Sequence, residues 1–256
     1  MSYPLNNNKS NIRTRSISRS QNQIMTNVNT EWSDRGSFWE HNSPQGEDKW
    51  LEARIGRVTG SVAGSLLGLS NFDTPMETGL IISGTKKKEF SERSKYVMKH
   101  GTDTEPAARN WYINNNKCKV VERGLCVPKW NVNIGASVDG DVLETDGIIE
   151  IKCPMKMYGP VKQYMNQVSN GWIPPKDYMN HIWETHYCQM ILSMAVLGKK
   201  WCDYVVYSTT DNLVFTQRIP FNEKYWKERL YPGIEKNYNL YVKPYINGNY
   251  PLTPKN

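Results

Sequence analysis

The order of elements in this sequence predicts a domain of mixed α/β (α+β) class, with a central mixed β-sheet flanked by helices. Three observations carry that prediction. Helical periodicity fills the stretch from Glu47 to about residue 114. Short β-prone runs punctuated by Gly, Asn and Asp follow up to Lys152. Helix and strand signals then alternate to residue 243. At 256 residues the chain suits one domain with appendages, and its core is large enough to need no disulfide staples.

Residues 1–30 are rich in Asn, Ser and Arg and show no apolar periodicity. Such a segment buries too little to offset its ordering entropy, so a disordered basic arm is expected. Its composition loosely matches an organellar transit peptide, but the Asn6-Asn7-Asn8 run and low apolar content argue against one, and a tail that touches nucleic acid is preferred. A single domain is assigned to 31–246 and a C-terminal tail to 247–256. The globular pattern opens at Glu47, with helices at 47–55, 60–68, 74–83 and 92–114. Strands are expected at Val120–Glu122, Cys126–Pro128, Ile134–Val138 and Ile148–Lys152. A helix at 159–168 and a strong one at 184–198 follow, then strands at 203–208 and 213–219 and an amphipathic helix at 222–243. No internal repeat is visible.

Net charge is +7, which favours a polyanionic partner. Lys9, Arg13, Arg15 and Arg19 supply four of those charges within an acid-free arm, leaving +3 for the rest. The five cysteines are odd in number and contain no C-x-x-C pair, so they read as reduced thiols of an intracellular protein. The longest apolar stretch, Met190 to Leu197, is far short of a membrane span, and no secretory signal is present, so a soluble protein without a membrane partner is expected.

Gly147-Ile-Ile-Glu-Ile-Lys-Cys-Pro154 reads as a strand with Ile149 and Ile151 on one face and Glu150 and Lys152 on the other. In Ile134-Gly-Ala-Ser-Val-Asp139 the same parity puts Ser137 and Asp139 together. Pairing these two runs would bring Asp139 beside Glu150, and two carboxylates sharing a site repel unless a cation lies between them. With Asp and Glu oxygens and no convergent His or Cys, the cation expected is Mg²⁺ or Mn²⁺ rather than zinc. A third acid, Glu105, falls on the inward stripe of a helix with Ala108 and Tyr112 at i+3 and i+7, which favours it over Asp103. Lys152 would hold and polarise a water or steady the charge of the transition state. Each of these signals alone is ordinarily a turn or a solvated strand face. In the 184–198 helix, Tyr187, Met190, Ile191, Met194 and Leu197 form a core stripe and His186, Gln189 and Ser193 a polar line. His181 and His186 read first as structural histidines.

The order Asp139, ten residues, Glu150-Ile-Lys152, preceded by a helical Glu, resembles the PD-(D/E)XK restriction-endonuclease-like core. The match narrows through Arg54-Ile-Gly-Arg-Val-Thr-Gly-Ser61, His100-Gly-Thr, Ser137-Val-Asp-Gly140, Glu150-Ile-Lys-Cys-Pro154 and His186-Tyr-Cys-Gln189. Over residues 48–210 these look like the successive motifs of the lambda-exonuclease and YqaJ-type viral recombinase family.

The resemblance implies a metal-dependent 5′→3′ exonuclease acting on linear double-stranded DNA ends, beside a single-strand annealing protein, in recombination or repair. It implies two Mg²⁺ ions, replaceable by Mn²⁺, about 3.5–4 Å apart. Asp139, Glu150, Glu105 and the Ile151 carbonyl would be the ligands, Lys152 the base or its helper, and Gln189 a further active-site residue. Arg54, Ser61 and Ser137 would hold the 5′-phosphate, a task suited to a guanidinium fork and two hydroxyls. A homo-oligomer, by resemblance a trimeric ring, and a viral or phage origin in host cytoplasm or nucleus are further implications.

Two departures stand out: Val138 replaces a frequent Pro, and Asn170–Asn180 looks like an insertion whose Trp172 and Tyr178 either stack on bases or pack back on the domain. The alternatives to an exonuclease are an endonuclease on the same fold, such as a junction resolvase or nicking enzyme, and a non-catalytic DNA-binding protein. Arg54 and Ser61 favour the exonuclease over the endonuclease, and the intact Glu105, Asp139, Glu150 and Lys152 set favours an enzyme.

Overall fold

A computed structural model describes residues 31–176 and 178–246. The basic arm expected at 1–30 and the tail at 247–256 lie outside the described residues. Strands β1 (Trp32–Asp34) and β2 (Phe38–His41) come first, then helix α1 (Asp48–Arg54), the short β3 (Val58–Thr59), α2 (Gly60–Leu66), α3 (Pro75–Ile82) and the long α4 (Glu92–Asn116). Strands β4 (Val120–Val121), β5 (Cys126–Pro128), β6 (Ile134–Gly135), β7 (Gly140–Val142) and β8 (Gly147–Lys152) form the middle of the chain. Then come α5 (Gly159–Ser169), α6 (Glu184–Leu197), β9 (Trp201–Ser208) and β10 (Leu213–Pro220). A last helical run over 223–245 alternates α-helical turns with π-helical ones at Trp226–Leu230 and Tyr238–Val242.

Among the described residues the central sheet has five strands in the order β10-β9-β8-β7-β4. Strands β8 and β9 run parallel and the other neighbours antiparallel, so the sheet is mixed. A parallel pair needs a long crossover, and α5 and α6 supply it. Strand β8 is buried almost throughout because both of its faces are covered. Ile148 enters the larger core with α6, while Ile149 and Ile151 pack with Ala108 and Tyr112 of α4 on the opposite face. Helix α6 buries Met190, Ile191, Met194 and Leu197, each worth ~1.5–3 kcal/mol of transfer free energy. It stops at Gly198, which takes the left-handed conformation at φ 69° and returns its N–H to the Met194 carbonyl. Helix α2 lies so close to α6 that a Cβ on Gly64 would stand 2.9 Å from the Thr185 Cα.

Several expectations are corrected. Ordered structure begins before Glu47: β1, β2 and β5 make a three-stranded antiparallel sheet. Only β6, at the start of the expected 134–138 strand, is strand, and it pairs in parallel with β3, while Ala136 bridges Cys126. The antiparallel partner of β8 is β7, three residues long, with Gly140 opposite Ile149. Trp172 and Tyr178 pack back: Tyr178 stacks on Tyr164 at 6.0 Å and Trp172 meets Tyr178 edge-on at 4.9 Å. His181 joins the same cluster, stacked on Tyr164 at 3.9 Å and bonded to Gln217. The five cysteines are free, and no helix among the described residues is long and apolar enough to cross a membrane.

Candidate active site

The turn from β6 into β7 and the end of β8 face each other, because the antiparallel register that sets Gly140 against Ile149 leaves Asp139 beside Glu150. Asp139 Oδ2 accepts the Ile151 backbone N–H at 2.6 Å, fixing its carboxylate against the strand. Alternation along β8 sends Glu150 and Lys152 to the face opposite Ile149 and Ile151. Glu150 is 1 % exposed. The Lys152 Nζ donates to Glu150 Oε1 at 2.6 Å and to Gln189 Oε1, reaching across from α6, at 3.2 Å. Glu105, on α4, comes over the end of the sheet into the same recess of about 160 Å³.

The recess gathers all nine site residues expected from sequence: Arg54, Ser61, Glu105, Ser137, Asp139, Glu150, Ile151, Lys152 and Gln189. Asp103 points away and pairs with Lys99. On the far wall, Trp50 and Arg54 share a face of α1 at i, i+4, and the guanidinium lies over the indole at 4.2 Å. Arg54 Nη2 donates to Thr59 Oγ1 at 2.9 Å and Ser61 Oγ at 2.8 Å, while Trp50 Nε1 donates to Ser137 Oγ at 3.0 Å. Among the described residues no carboxylate lies within ion-pair distance of Arg54. A partly buried guanidinium that meets only hydroxyls and an aromatic face invites an anion.

Electrostatics divide the recess in two. Burial, then the charge of Glu150, pushes the Asp139 carboxyl up to about 7. Burial, then Asp139, raises Glu105 to about 7, and burial raises Glu150 as well. Burial alone would lower Lys152, but the Glu150 and Asp139 carboxylates overturn this and hold it above the ordinary lysine range, so it is an ammonium. Burial lowers Arg54 to about 10, still charged at neutral pH. His186 lies outside the recess with Nδ1 on the Tyr204 hydroxyl at 2.8 Å, and burial followed by Lys152 drives it down to about 3.

Four contributors escaped the sequence reading. Trp50 and Thr59 organise Arg54 and Ser137. Gln45 lines the recess and donates to the Arg123 carbonyl at 2.9 Å. Arg109 donates from Nε to the Asp139 carbonyl at 2.7 Å, pairs with Glu105 one turn earlier, and reaches Glu122 at 3.0 Å. Only the i, i+4 spacing of Glu105 and Arg109 was visible in sequence.

Residues 49–200, more than half of the chain, match the family of YqaJ-like viral recombinase domains. Among solved structures, the chain is similar to the alkaline exonuclease LHK-Exo from Laribacter hongkongensis, with 28% identity and a TM-score of 0.55 over 78% of this chain and 92% of that one. The same exonuclease in complex with dAMP gives 29% identity and a TM-score of 0.56 over the same shares. No curated protein sequence matches the chain.

Proposed function

Since the chain belongs to the YqaJ-like viral recombinase family, we propose that it is a metal-dependent DNA exonuclease that removes nucleotides from the 5′ ends of linear duplex DNA, in recombination or repair by strand annealing. One observation carries the reading: a carboxylate and lysine cluster shares a single recess with an arginine and hydroxyl cluster that has no anion of its own. An endonuclease needs the first cluster and has no use for the second.

Asp139, Glu150, Glu105 and the Ile151 carbonyl offer only hard oxygen donors, and neither His nor Cys lines the recess, which fits Mg²⁺ or Mn²⁺. Among the described residues no three such side chains are drawn together tightly enough to close round an ion. One oxygen of each carboxylate is taken by a protein donor: Ile151 N–H for Asp139, Lys152 for Glu150 and Arg109 for Glu105. Burial first, and the crowding of these charges second, raises the carboxyls, and a divalent cation would offset both costs. When bound, the metal would supply Lewis-acid activation of water and charge neutralisation at the scissile phosphate.

Lys152, which the Glu150 and Asp139 carboxylates hold as an ammonium, donates to the scissile phosphate and stabilises the charge that builds there. Gln189 keeps Lys152 aimed into the recess. Arg54, Ser61 and Ser137 grip the terminal 5′-phosphate, which fixes the register of cleavage at one nucleotide from the end. The dAMP held by the Laribacter relative is one such excised nucleotide in kind.

The test is Mg²⁺-dependent digestion of linear duplexes bearing 5′-phosphate or 5′-hydroxyl ends, with closed circles and a Lys152→Ala protein as controls. Degradation that requires an end, is stimulated by phosphate and disappears in Lys152→Ala supports the proposal. Cleavage of closed circles moves the protein to the endonuclease class, and no cleavage of any substrate leaves a DNA-binding protein on a nuclease fold.

A further inference from the structure

Beside the active-site recess lies a second, larger hollow of about 700 Å³ between α2 and the start of α6. The two adjoin: Ser61, Lys152 and Gln189 line both. The shared wall therefore runs from the hydroxyl bonded by Arg54, where the terminal phosphate is gripped, to the ammonium at the scissile centre. A terminal nucleoside is strung between those two points, with its 5′-phosphate at one and its 3′-oxygen at the other. Its sugar and base need room on one side of that line, and the recess of about 160 Å³ is too small to give it. The hollow has the size of a small-molecule site.

Its lining suits a base. Phe72, in the loop after α2, is 90 % exposed, and Trp183, the residue before α6, is 47 % exposed. Both line the hollow, and neither exposure serves the core. Ser65, Ser70, Asn71 and Thr185 add short hydrogen-bonding side chains to the lining, and Glu184 is the only acid among the lining residues. Phe72 makes no ring contact with other aromatics among the described residues, whereas Trp183 is braced by Tyr158 at 4.5 Å and His186 at 5.1 Å. A braced indole and an unbraced phenyl ring lining one hollow can accept a flat ring of either size.

We propose that this hollow is the seat of the terminal nucleoside that is about to be excised, with Trp183 and Phe72 stacking on its base. The assignment rests on the exonuclease reading, since it takes the phosphate grip and the scissile centre from it. Because every base has a π-face, such a seat accepts all four nucleotides, as a resecting enzyme requires.

The full-length protein is tested first without catalysis, by calorimetric titration with 2′-deoxyadenosine 5′-monophosphate, deoxyribose 5-phosphate and inorganic phosphate. Stacking on an aromatic is worth about tenfold or more in affinity. Phe72→Ala and Trp183→Ala should each weaken the nucleotide about tenfold and leave the two ligands without a base unchanged, and Trp183→Phe should recover most of the loss. Absence of nucleotide binding to the unaltered protein, or equal loss of all three ligands, overturns the proposal.

Digestion of linear duplexes then places the seat. The unaltered protein should cut a native end faster than one whose first nucleotide is abasic, and Phe72→Ala should erase that difference. A difference that appears only with an abasic second nucleotide would assign the hollow to the continuing strand and overturn the proposal while leaving the exonuclease intact. Base-selective binding in a protein that digests no DNA end would remove the exonuclease reading instead.

Discussion

Arg109 touches no expected substrate atom, yet it holds two of the proposed metal ligands. One guanidinium fixes Glu105 and the Asp139 carbonyl, and its side chain is only 15% exposed, so both contacts are sheltered from water. Arg109→Ala is expected to lower turnover at least about tenfold with a smaller change in KM, because substrate contacts survive while ligand aim is lost. Arg109→Lys should recover little, since one ammonium cannot span both acceptors. The raised carboxyls give a second prediction. Glu105 and Asp139 lie near 7 in the folded chain, above the ordinary carboxylate range they take when unfolded. The folded state therefore binds protons more tightly, and this contribution to stability is complete below about pH 4 and lost as pH rises through about 7. Without divalent ions the melting temperature should fall from pH 5 to pH 8, and Asp139→Asn should flatten that fall. Added Mn²⁺ should raise the melting temperature more at pH 8 than at pH 6, because the ion competes with those protons.

Helices α2 and α6 pack on each other and carry Ser61 and Gln189 to the recess, so the distance between the helices sets the site. Gly64 keeps that distance short. Gly64→Ala places a methyl group against the Thr185 backbone, which neither helix can avoid without moving, and should cost about 1–3 kcal/mol in chemical denaturation. The same shift should weaken the preference for 5′-phosphate ends, by moving Ser61 from Gln189. Loss of stability with an unchanged end preference would show that the helices part elsewhere. The elements themselves were largely legible. The 92–114 and 184–198 readings match α4 and α6: α4 buries Thr104, Ala108 and Tyr112 at helical spacing in its second half, and α6 is buried on almost every side from Cys188 to Leu197. Strands β1, β2, β3 and β7 were missed because runs of two to four residues carry too few alternations to register as a period, and the equally short β5 was read from its β-prone residues and flanking turn signals instead.

Across the whole molecule, charge separates into a sequence-distant arm and a site. Residues 1–30 hold four of the seven net positive charges, and we propose that they hold DNA without choosing where it is cut. Deleting them should weaken duplex binding and reduce the slope of log affinity against log salt by about 4 at most, with turnover at saturating DNA unchanged. An unchanged slope would remove the arm from the DNA interface. The sequence by itself determined the residue types of the candidate site and some of its local faces: Glu150 and Lys152 share a face by strand alternation and Glu105 is turned inward by helical spacing, whereas Asp139 reaches the recess from a turn outside any strand. Those patterns depend on neighbours a few positions apart. The tertiary structure decided that β7 rather than the 134–138 run pairs with β8, that Trp50 and Thr59 shape the phosphate grip, that Arg109 joins Glu105 to the Asp139 turn, and that a second hollow opens beside Ser61 and Lys152. Each of these joins segments far apart in the chain, and such contacts are set by how helices and sheet pack over a shared core, which leaves no periodic trace in either segment alone.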